Sequence, residues 1–245
     1  MNGFFIKYGE KEHLQQIVDG KIRFTPSQNY IKMEEEQHNK GQGDLLEGKM
    51  KIQVEGAKVY HPETNEFLFA LPKSTFIISI QDVSNMPIFC LSYYESECIK
   101  EVEGASVISI DKEHLLDVKK NFPQATHALV ILEPESFISS IDNIDDKHFV
   151  HDHIKYYDYE INPIQMYMYL ATGEEKIESN KPLSMTYENR YRHLLCKDTS
   201  FENQKEYRFI GLNDLIKKPV FYDINFKSKY IILPIDELEK LAIKR

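Results

Sequence analysis

Two long apolar runs constrain the fold of this chain most. They are STFIISI over residues 74–80 and MPIFCLSYY over residues 86–94, and neither alternates regularly between apolar and polar residues. A strand without such alternation is typical of the centre of a sheet, where both faces are covered. We therefore expect both runs to form central strands that are buried on both faces.

Shorter elements surround these runs. The N-terminus predicts a strand that starts at Phe4, a helix over Lys11–Asp19 that Gly20 ends, and a second strand over Lys21–Thr25. A late strand is expected to start at Glu206. The resulting order places strands at both ends of the chain, where they can join one sheet.

Two further local patterns complete the outline. The β-rich segments on either side of Glu55-Gly56 favour a hairpin, and Thr186–Cys196 is expected to be helical. Strands and helices are mixed without a strict βαβ rhythm, and no Ser/Gly-rich linker divides the chain. The sequence thus predicts an α+β fold, a single domain over residues 1–245 with a mixed, mostly antiparallel central sheet and flanking helices.

The charge balance bears on what the chain binds. It has 30 Lys and Arg against 39 Asp and Glu, which gives a net charge of −9. An acidic surface does not attract phosphate backbones non-specifically. A local basic groove stays open as an alternative, because Arg190, Arg192 and Lys197 are close in sequence.

Cysteine usage and apolar content bear on location. Cys90, Cys98 and Cys196 form no CxxC pair, and an odd number of cysteines is not a disulfide framework. The N-terminus lacks the pattern of a signal peptide, and the apolar runs are too short to span a bilayer. We expect a cytoplasmic protein with no membrane association.

The first candidate site is FENQKEYRFI, residues 201–210. If a strand starts at Glu206, then Gln204 and Glu206 point to one face and reach the same substrate. A carboxylate beside an amide suits chemistry in which a sugar cation forms and a hydroxyl nucleophile is oriented. The alternative is a solvent-exposed strand on which Glu206 pairs with Arg208.

The second candidate site lies at the ends of the first two strands. Lys7 and Tyr8 follow one strand, and Arg23 and Thr25 lie on the next, where they are placed to hold phosphates and a ring. Ser92 ends the second apolar run, as residues at the mouth of a site often do. The alternative for Lys7, Tyr8, Arg23 and Thr25 is a solvated rim, and the alternative for Ser92 is that it only ends a strand.

Two other groups of polar residues allow metal chemistry. Asp44, Glu47 and Lys49 resemble the acids and lysine of magnesium-dependent nucleases, although Asp44 is only three residues before Glu47. His151 and His153 share a strand face, with His148 nearby, but Asp152 would point the other way. We expect no metal site, because neither group is a complete ligand set.

Several of these pieces together resemble a broad family of bacterial proteins, some of which are linked to abortive infection by phage. The matching segments are short and scattered over most of the chain. They are Lys7-Tyr8-Gly9, Gly20, Phe24-Thr25-Pro26-Ser27, Gly43-Asp44 with Glu47-Gly48, Cys90-Leu91-Ser92, and Gln204-Lys205-Glu206-Tyr207-Arg208.

That family is similar in layout to ADP-ribosyltransferases, and the resemblance implies a function. Glu206 would be the catalytic acid with Gln204 as its partner, and Ser92 would be the middle element. The implied cofactor is NAD, held by Lys7, Tyr8, Arg23, Thr25 and Arg208. In ADP-ribosyltransferases the first element is Arg or His, and Lys7 and Tyr8 stand in that place here.

The resemblance also implies a biological setting. It predicts an NAD-dependent ADP-ribosyltransferase or NAD hydrolase that acts as a toxin or phage-defence effector, with a protein or a nucleic acid as acceptor. Two alternatives stay open. One is a magnesium-dependent nuclease, and the other is a non-catalytic defence or antitoxin protein with a cognate protein partner.

Overall fold

The structure is a computed structural model of the chain. It describes residues 3–37, 43–95, 99–102, 105–108, 110, 112–161, 163–175, 184–240 and 242–244. Cys98 lies outside these residues.

The described residues form helices and strands in irregular alternation. The α-helices are α1 (Lys11–Val18), α2 (Gln28–Gln37), α3 (Lys112–Asn121), α4 (Pro134–Asp142) and α5 (Ile164–Thr172). Short 3-10 helices cover Gln81–Asn85, Arg190–Leu195, Thr199–Gln204 and Ile235–Lys240. The strands are β1 (Gly3–Gly9), β2 (Lys21–Pro26), β3 (Lys49–Val54), β4 (Lys58–Tyr60), β5 (Phe67–Ala70), β6 (Ser74–Ser79), β7 (Pro87–Glu95), β8 (Ile99–Val102), β9 (Ala105–Ile108), β10 (His127–Ile131), β11 (Phe149–His153), β12 (Lys155–Tyr157), β13 (Cys196–Asp198), β14 (Glu206–Gly211), β15 (Val220–Asp223), β16 (Tyr230–Pro234) and β17 (Ala242–Lys244).

Eight strands join in one sheet that organises the fold. Six of them follow the order β11-β14-β7-β1-β10-β16, and β2 pairs with both β7 and β15. Every pairing in this sheet is antiparallel, whereas β12 and β13 form a separate parallel pair. The class is therefore α+β with a mostly antiparallel sheet, and the N-terminal strands β1 and β2 and the late strand β14 lie in it.

β1 lies near the middle of the sheet because apolar side chains cover it on both faces. Phe5 packs in a cluster with Leu14 of α1 and Phe137 of α4. Phe4, its neighbour along the strand, packs on the other side against Leu115 of α3. Alternate side chains of one strand thus contribute to two cores.

The first apolar run is not a central strand. It forms β6, which pairs with β3 in a two-stranded sheet, and its residues from Thr75 to Ser79 are exposed. Only the second run, β7, is central as predicted, with β14 on one edge and β1 and β2 on the other. An apolar run without alternation fits two covered faces or two open ones, and the pattern alone does not separate these cases.

The predicted hairpin across Glu55-Gly56 is also wrong. β3 pairs with β6, and β4 pairs with β5, so the chain reverses between Tyr60 and Phe67 and not at Gly56. Gly56 has a positive φ of 65°, which marks an irregularity in one side of a longer hairpin. Gly56 therefore lies at the break between β3 and β4 and not at the turn of a hairpin.

Helix ends follow the sequence signals more closely. Gly20 follows α1 with φ 87°, and a Cβ there would lie 2.6 Å from the carbonyl oxygen of Ile224, so the position needs glycine. The segment Thr186–Cys196 is not an α-helix but contains a 3-10 helix over Arg190–Leu195.

Among the described residues, no helix has the length and apolar character needed to cross a bilayer.

Two leucines on helices test this account of the core. Leu14 on α1 is 1% exposed, whereas Leu116 on α3 is 66% exposed. Leu14→Ala should lower the free energy of unfolding by about 2–5 kcal/mol, because it leaves a cavity between α1 and the sheet. Leu116→Ala should change it by less than about 0.5 kcal/mol. Urea denaturation of the two variants measures both, and equal losses would contradict the packing described.

Candidate functional site

The sheet splits along one edge of β7. β1 pairs with β7 from Ser92 to Glu95, and β2 pairs with it at Pro87 and Ile88. Among the described residues, no strand pairs with residues 89–91 on that edge, so backbone groups there need other partners. Lys7 supplies one, since its Nζ donates to the carbonyl oxygen of Cys90 at 2.7 Å.

A cavity of about 550 Å³ opens at this split. Small-molecule sites in proteins usually have volumes of about 300–1,000 Å³. Five cationic and two acidic residues line it, namely Lys7, Lys21, Arg23, Lys197, Arg208, Glu10 and Glu206. These seven side chains give the cavity lining a formal net charge of +3, whereas the net charge of the whole chain is −9. Such a recess favours an anionic ligand.

Glu206 lies among the charges of the cavity wall. Its Oε1 accepts from Nε of Arg208 at 2.8 Å, and its Oε2 lies 2.8 Å from Nζ of Lys197. All three side chains are at most 7% exposed. The alternative of a solvent-exposed Glu206–Arg208 pair is therefore wrong, because the pair exists but is buried.

Arg208 connects Glu206 to a distant part of the chain. Its Nη1 donates to Glu47 and to the carbonyl oxygen of Leu194, and its Nη2 donates to Glu47 at 3.2 Å and lies 2.6 Å from Oε1 of Glu206. With the Nε bond, Arg208 makes four hydrogen bonds and this further ion-pair contact. The sequence predicts Arg208 as a cofactor-binding residue, and in the structure its guanidinium contacts Glu206 and Glu47.

The two cations keep Glu206 ionised. Burial alone would raise the pKa of Glu206, but the charges of Arg208 and Lys197 outweigh burial and hold the pKa well below its ordinary value. The pKa of Lys197 is correspondingly raised by Glu206, against the opposing effect of burial. The carboxylate is thus a permanent charge, which at neutral pH accepts hydrogen bonds and does not donate a proton.

Lys7 has a different environment. Among the described residues, no carboxylate oxygen lies within ion-pair distance of its Nζ, which packs 5.0 Å from the centre of the Phe89 ring. Burial lowers the pKa of Lys7, and the nearby Cys90 and Glu206 only partly oppose this effect. A ligand anion beside Nζ would therefore stabilise the charged form of Lys7.

All eight residues that the sequence suggested for the site line this one cavity. They are Lys7, Tyr8, Arg23, Thr25, Ser92, Gln204, Glu206 and Arg208. They come from β1, β2, β7, β14 and the 3-10 helix before β14. The sequence reasoning thus grouped residues that the fold brings together, although it could not give each one its contacts.

Gln204 reaches the site by a route other than strand alternation. It ends a 3-10 helix, and Lys205 between it and Glu206 has a left-handed φ of 46°. The Oε1 of Gln204 nevertheless accepts from Nζ of Lys197 at 3.1 Å, and its backbone carbonyl accepts from Oγ of Ser92 at 2.8 Å. Gln204, Glu206 and Ser92 therefore lie around one lysine.

The residues that the prediction missed are Lys197, Glu47 and Cys90. Lys197 was noted only as part of a basic cluster, and its burial beside Glu206 has no sequence signal. Burial, then the charge of Glu206, raises the pKa of Cys90 to about 12, so it is a protonated thiol. Within the described chain both Cys90 and Cys196 are free.

The three side chains of the nuclease alternative each have another partner in the structure. Asp44 accepts from the backbone N–H of Leu46 at 2.8 Å, and Nζ of Lys49 donates to the carbonyl oxygen of Leu45 at 2.9 Å. Glu47 points elsewhere, to Arg208. The three side chains that a magnesium site would need together thus have separate partners. The segment forms a turn that leads into β3, and Asp44 and Glu47 are buried in it.

The histidines lie on another part of the sheet. Nδ1 of His151 is 2.6 Å from the hydroxyl of Tyr207, and its Nε2 is 3.3 Å from Oδ2 of Asp142. His153 packs edge-on against Tyr207. In the part of the chain that the structure describes, no three His, Cys, Asp or Glu side chains are grouped to hold a metal.

Comparisons of the chain with protein families, with curated proteins and with solved structures gave no match. The function of the chain is therefore inferred from the geometry of the cavity and from the resemblance of its motifs to the ADP-ribosyltransferase layout.

Replacing Arg208 tests the buried network. Arg208→Met removes one charge and leaves Glu47 and Glu206 buried without their common partner, so the free energy of unfolding should fall by about 3–5 kcal/mol. Arg23→Met changes an exposed arginine on the same cavity and should cost less than about 1 kcal/mol. Thermal and urea denaturation compare the two, and a mild effect of Arg208→Met would show that the network is not a stabilising element.

The depressed pKa of Glu206 predicts a pH dependence. Its ionised form stabilises the fold above the pKa of an unfolded glutamate, about 4.3, and this contribution is lost as pH falls through the lower folded-state pKa. Between roughly pH 5 and pH 3, the free energy of unfolding should therefore fall more steeply for the unmodified chain than for Glu206→Gln. Parallel curves from urea denaturation would rule out an ion-paired Glu206.

Proposed function

We propose that the cavity at the split of the sheet binds NAD, and that the chain transfers ADP-ribose from NAD to an acceptor or to water. The observation that carries this proposal is the ionised Glu206 in the wall of a cavity of about 550 Å³ with a net positive lining. The resemblance to the ADP-ribosyltransferase layout selects NAD among anionic ligands.

The charges suit the two ends of such a ligand. Lys7, Lys21 and Arg23 line the cavity without a carboxylate within ion-pair distance among the described residues, and they would hold the pyrophosphate. Glu206, beside Gln204 and Ser92, would face the nicotinamide ribose. When nicotinamide leaves, the ribose becomes cationic, and a carboxylate stabilises that charge.

The proposed roles follow from these positions. Glu206 accepts a hydrogen bond from the ribose and stabilises the sugar cation, Gln204 orients the acceptor, and Lys197 and Arg208 hold the carboxylate. The acceptor is a protein, a nucleic acid or water. In a bacterium, such chemistry suits a toxin or a phage-defence effector.

One observation favours a second candidate, an NAD-binding protein without transfer activity. Arg208 and Lys197 both contact Glu206, so its carboxylate already has two cationic partners. These partners weaken the stabilisation of a sugar cation by Glu206. This candidate corresponds to a defence or antitoxin protein that acts through a partner.

Calorimetry tests binding first. NAD and ADP-ribose should both bind, whereas nicotinamide riboside, which lacks the pyrophosphate, should bind at least about tenfold more weakly, as a lost charged hydrogen bond implies. Lys7→Met and Arg23→Met should each weaken NAD binding, and Lys229→Met, on the remote Glu133–Lys229 pair, should not. Magnesium with nucleic acid is the comparison for the nuclease alternative. No binding of NAD would end both NAD-based candidates.

Nicotinamide release then separates the two NAD-based candidates. Glu206→Gln keeps the shape of the side chain but removes its charge, so release should slow by about two to three orders of magnitude. Glu133→Gln, an acid paired with Lys229 far from the cavity, should leave the rate unchanged. NAD binding without release, for the unmodified chain with every acceptor tested, would favour the non-catalytic candidate.

A further inference from the structure

Strands β3 to β6 form a two-stranded arm. β3 pairs with β6 and β4 pairs with β5, so residues 49–79 make one long interrupted hairpin. Its base is attached to the rest of the molecule. Met50 is buried, Lys51 pairs with Glu160, and Nε2 of Gln53 donates to Glu160 at 2.6 Å.

Six large apolar side chains of the arm are 42–56% exposed, namely Phe67, Leu68 and Phe69 on β5 and Phe76, Ile77 and Ile78 on β6. The three on β6 pair with Ile52, Lys51 and Met50 of the attached base, and the three on β5 lie in the outer part of the arm. Successive residues of a strand point to opposite faces, so both faces of the arm expose apolar groups. A two-stranded ribbon has little to stabilise it alone.

The exposed apolar area has the size of a binding surface. A large apolar side chain has roughly 150–250 Å² of surface, so six that are about half exposed offer on the order of 500 Å² per chain. Two arms that interlock so that the six side chains of each are covered on both faces would bury about 1,000 Å², the area that a specific interface needs. The largest apolar patch of a typical monomer is about 300–600 Å² and is often functional.

The distribution of charge between the arm and the rest of the chain indicates which partner binds this surface. Residues 49–80 contain four lysines and three glutamates, so the arm carries +1. The net charge of the whole chain is −9, and the remainder therefore carries −10. Two copies repel each other through their acidic bodies and repel least at the arms.

We propose that the arm is a self-association surface, on which the arm of a second copy of this chain packs in a symmetric dimer. A twofold contact places the same patch on both sides, so the apolar residues of one arm cover those of the other. The described residues leave the outer edges of β3 and β6 unpaired in their two-stranded sheet, and these edges are available for the same contact. This inference does not depend on the proposed NAD chemistry.

Sedimentation velocity over roughly 1–100 µM protein tests the dimer, since this range covers micromolar dissociation constants. The unmodified chain should change from monomer to dimer. The combined substitutions Phe67→Ser, Phe69→Ser and Ile77→Ser should weaken dimerisation by about 100-fold or more, as loss of a central apolar cluster does. The matched control is Ile161→Ser with Leu215→Ser, which changes exposed apolar residues outside the arm and should leave the dimer intact.

Hydrogen exchange on the unmodified chain gives a test that needs no variant. Amide protection of residues 49–54 and 74–79 should rise with protein concentration, while protection of the main sheet should not. A monomer throughout the range, or a dimer that the arm substitutions do not weaken, would overturn the proposal. So would a monomer that sediments with vesicles of neutral phospholipid through the arm, because the occupant would then be a lipid surface.

Discussion

The guanidinium of Arg208 is the group on which the site depends. It bridges Glu47 and Glu206 and also donates to the carbonyl oxygen of Leu194. It thereby connects β14, the segment before β3 and the 3-10 helix before β13, which are far apart in sequence. A buried cation of this kind is tolerated because two carboxylates and a carbonyl oxygen compensate it. The wall of the cavity is therefore fixed by one side chain that contributes little of its own surface to a ligand.

The parts of the fold that sequence predicted are those with local signals. The strand-helix-strand of residues 3–26, with the end of α1 at Gly20, and the start of β14 at Glu206 each follow from periodicity or a glycine with a positive φ. The contact between Glu47 and Arg208 spans 161 residues and has no local signal. Sequence could group the site residues by type, but it could not show that Arg208 and Lys197 both hold Glu206.

The two apolar runs show why the centre of the sheet could not be located from hydrophobicity. Both lack alternation, yet β7 has partners on both edges and cores on both faces, whereas β6 has one partner and exposed side chains. A run of this kind fits two covered faces or two open ones. For β7 both faces are covered within one chain. The faces of β6 are open, and the proposed self-association would cover them.

The arm and the wall of the cavity share one short segment. Glu47 lies two residues before β3, and its carboxylate is held by Arg208, while Met50 in β3 is buried against the body. Moving the base of the arm would separate a buried ion pair, which typically costs several kcal/mol. The free energy that a small arm interface supplies is of similar size at most. The proposed association through the arm should therefore leave the cavity wall in place, so that it would bring two copies together without changing either site.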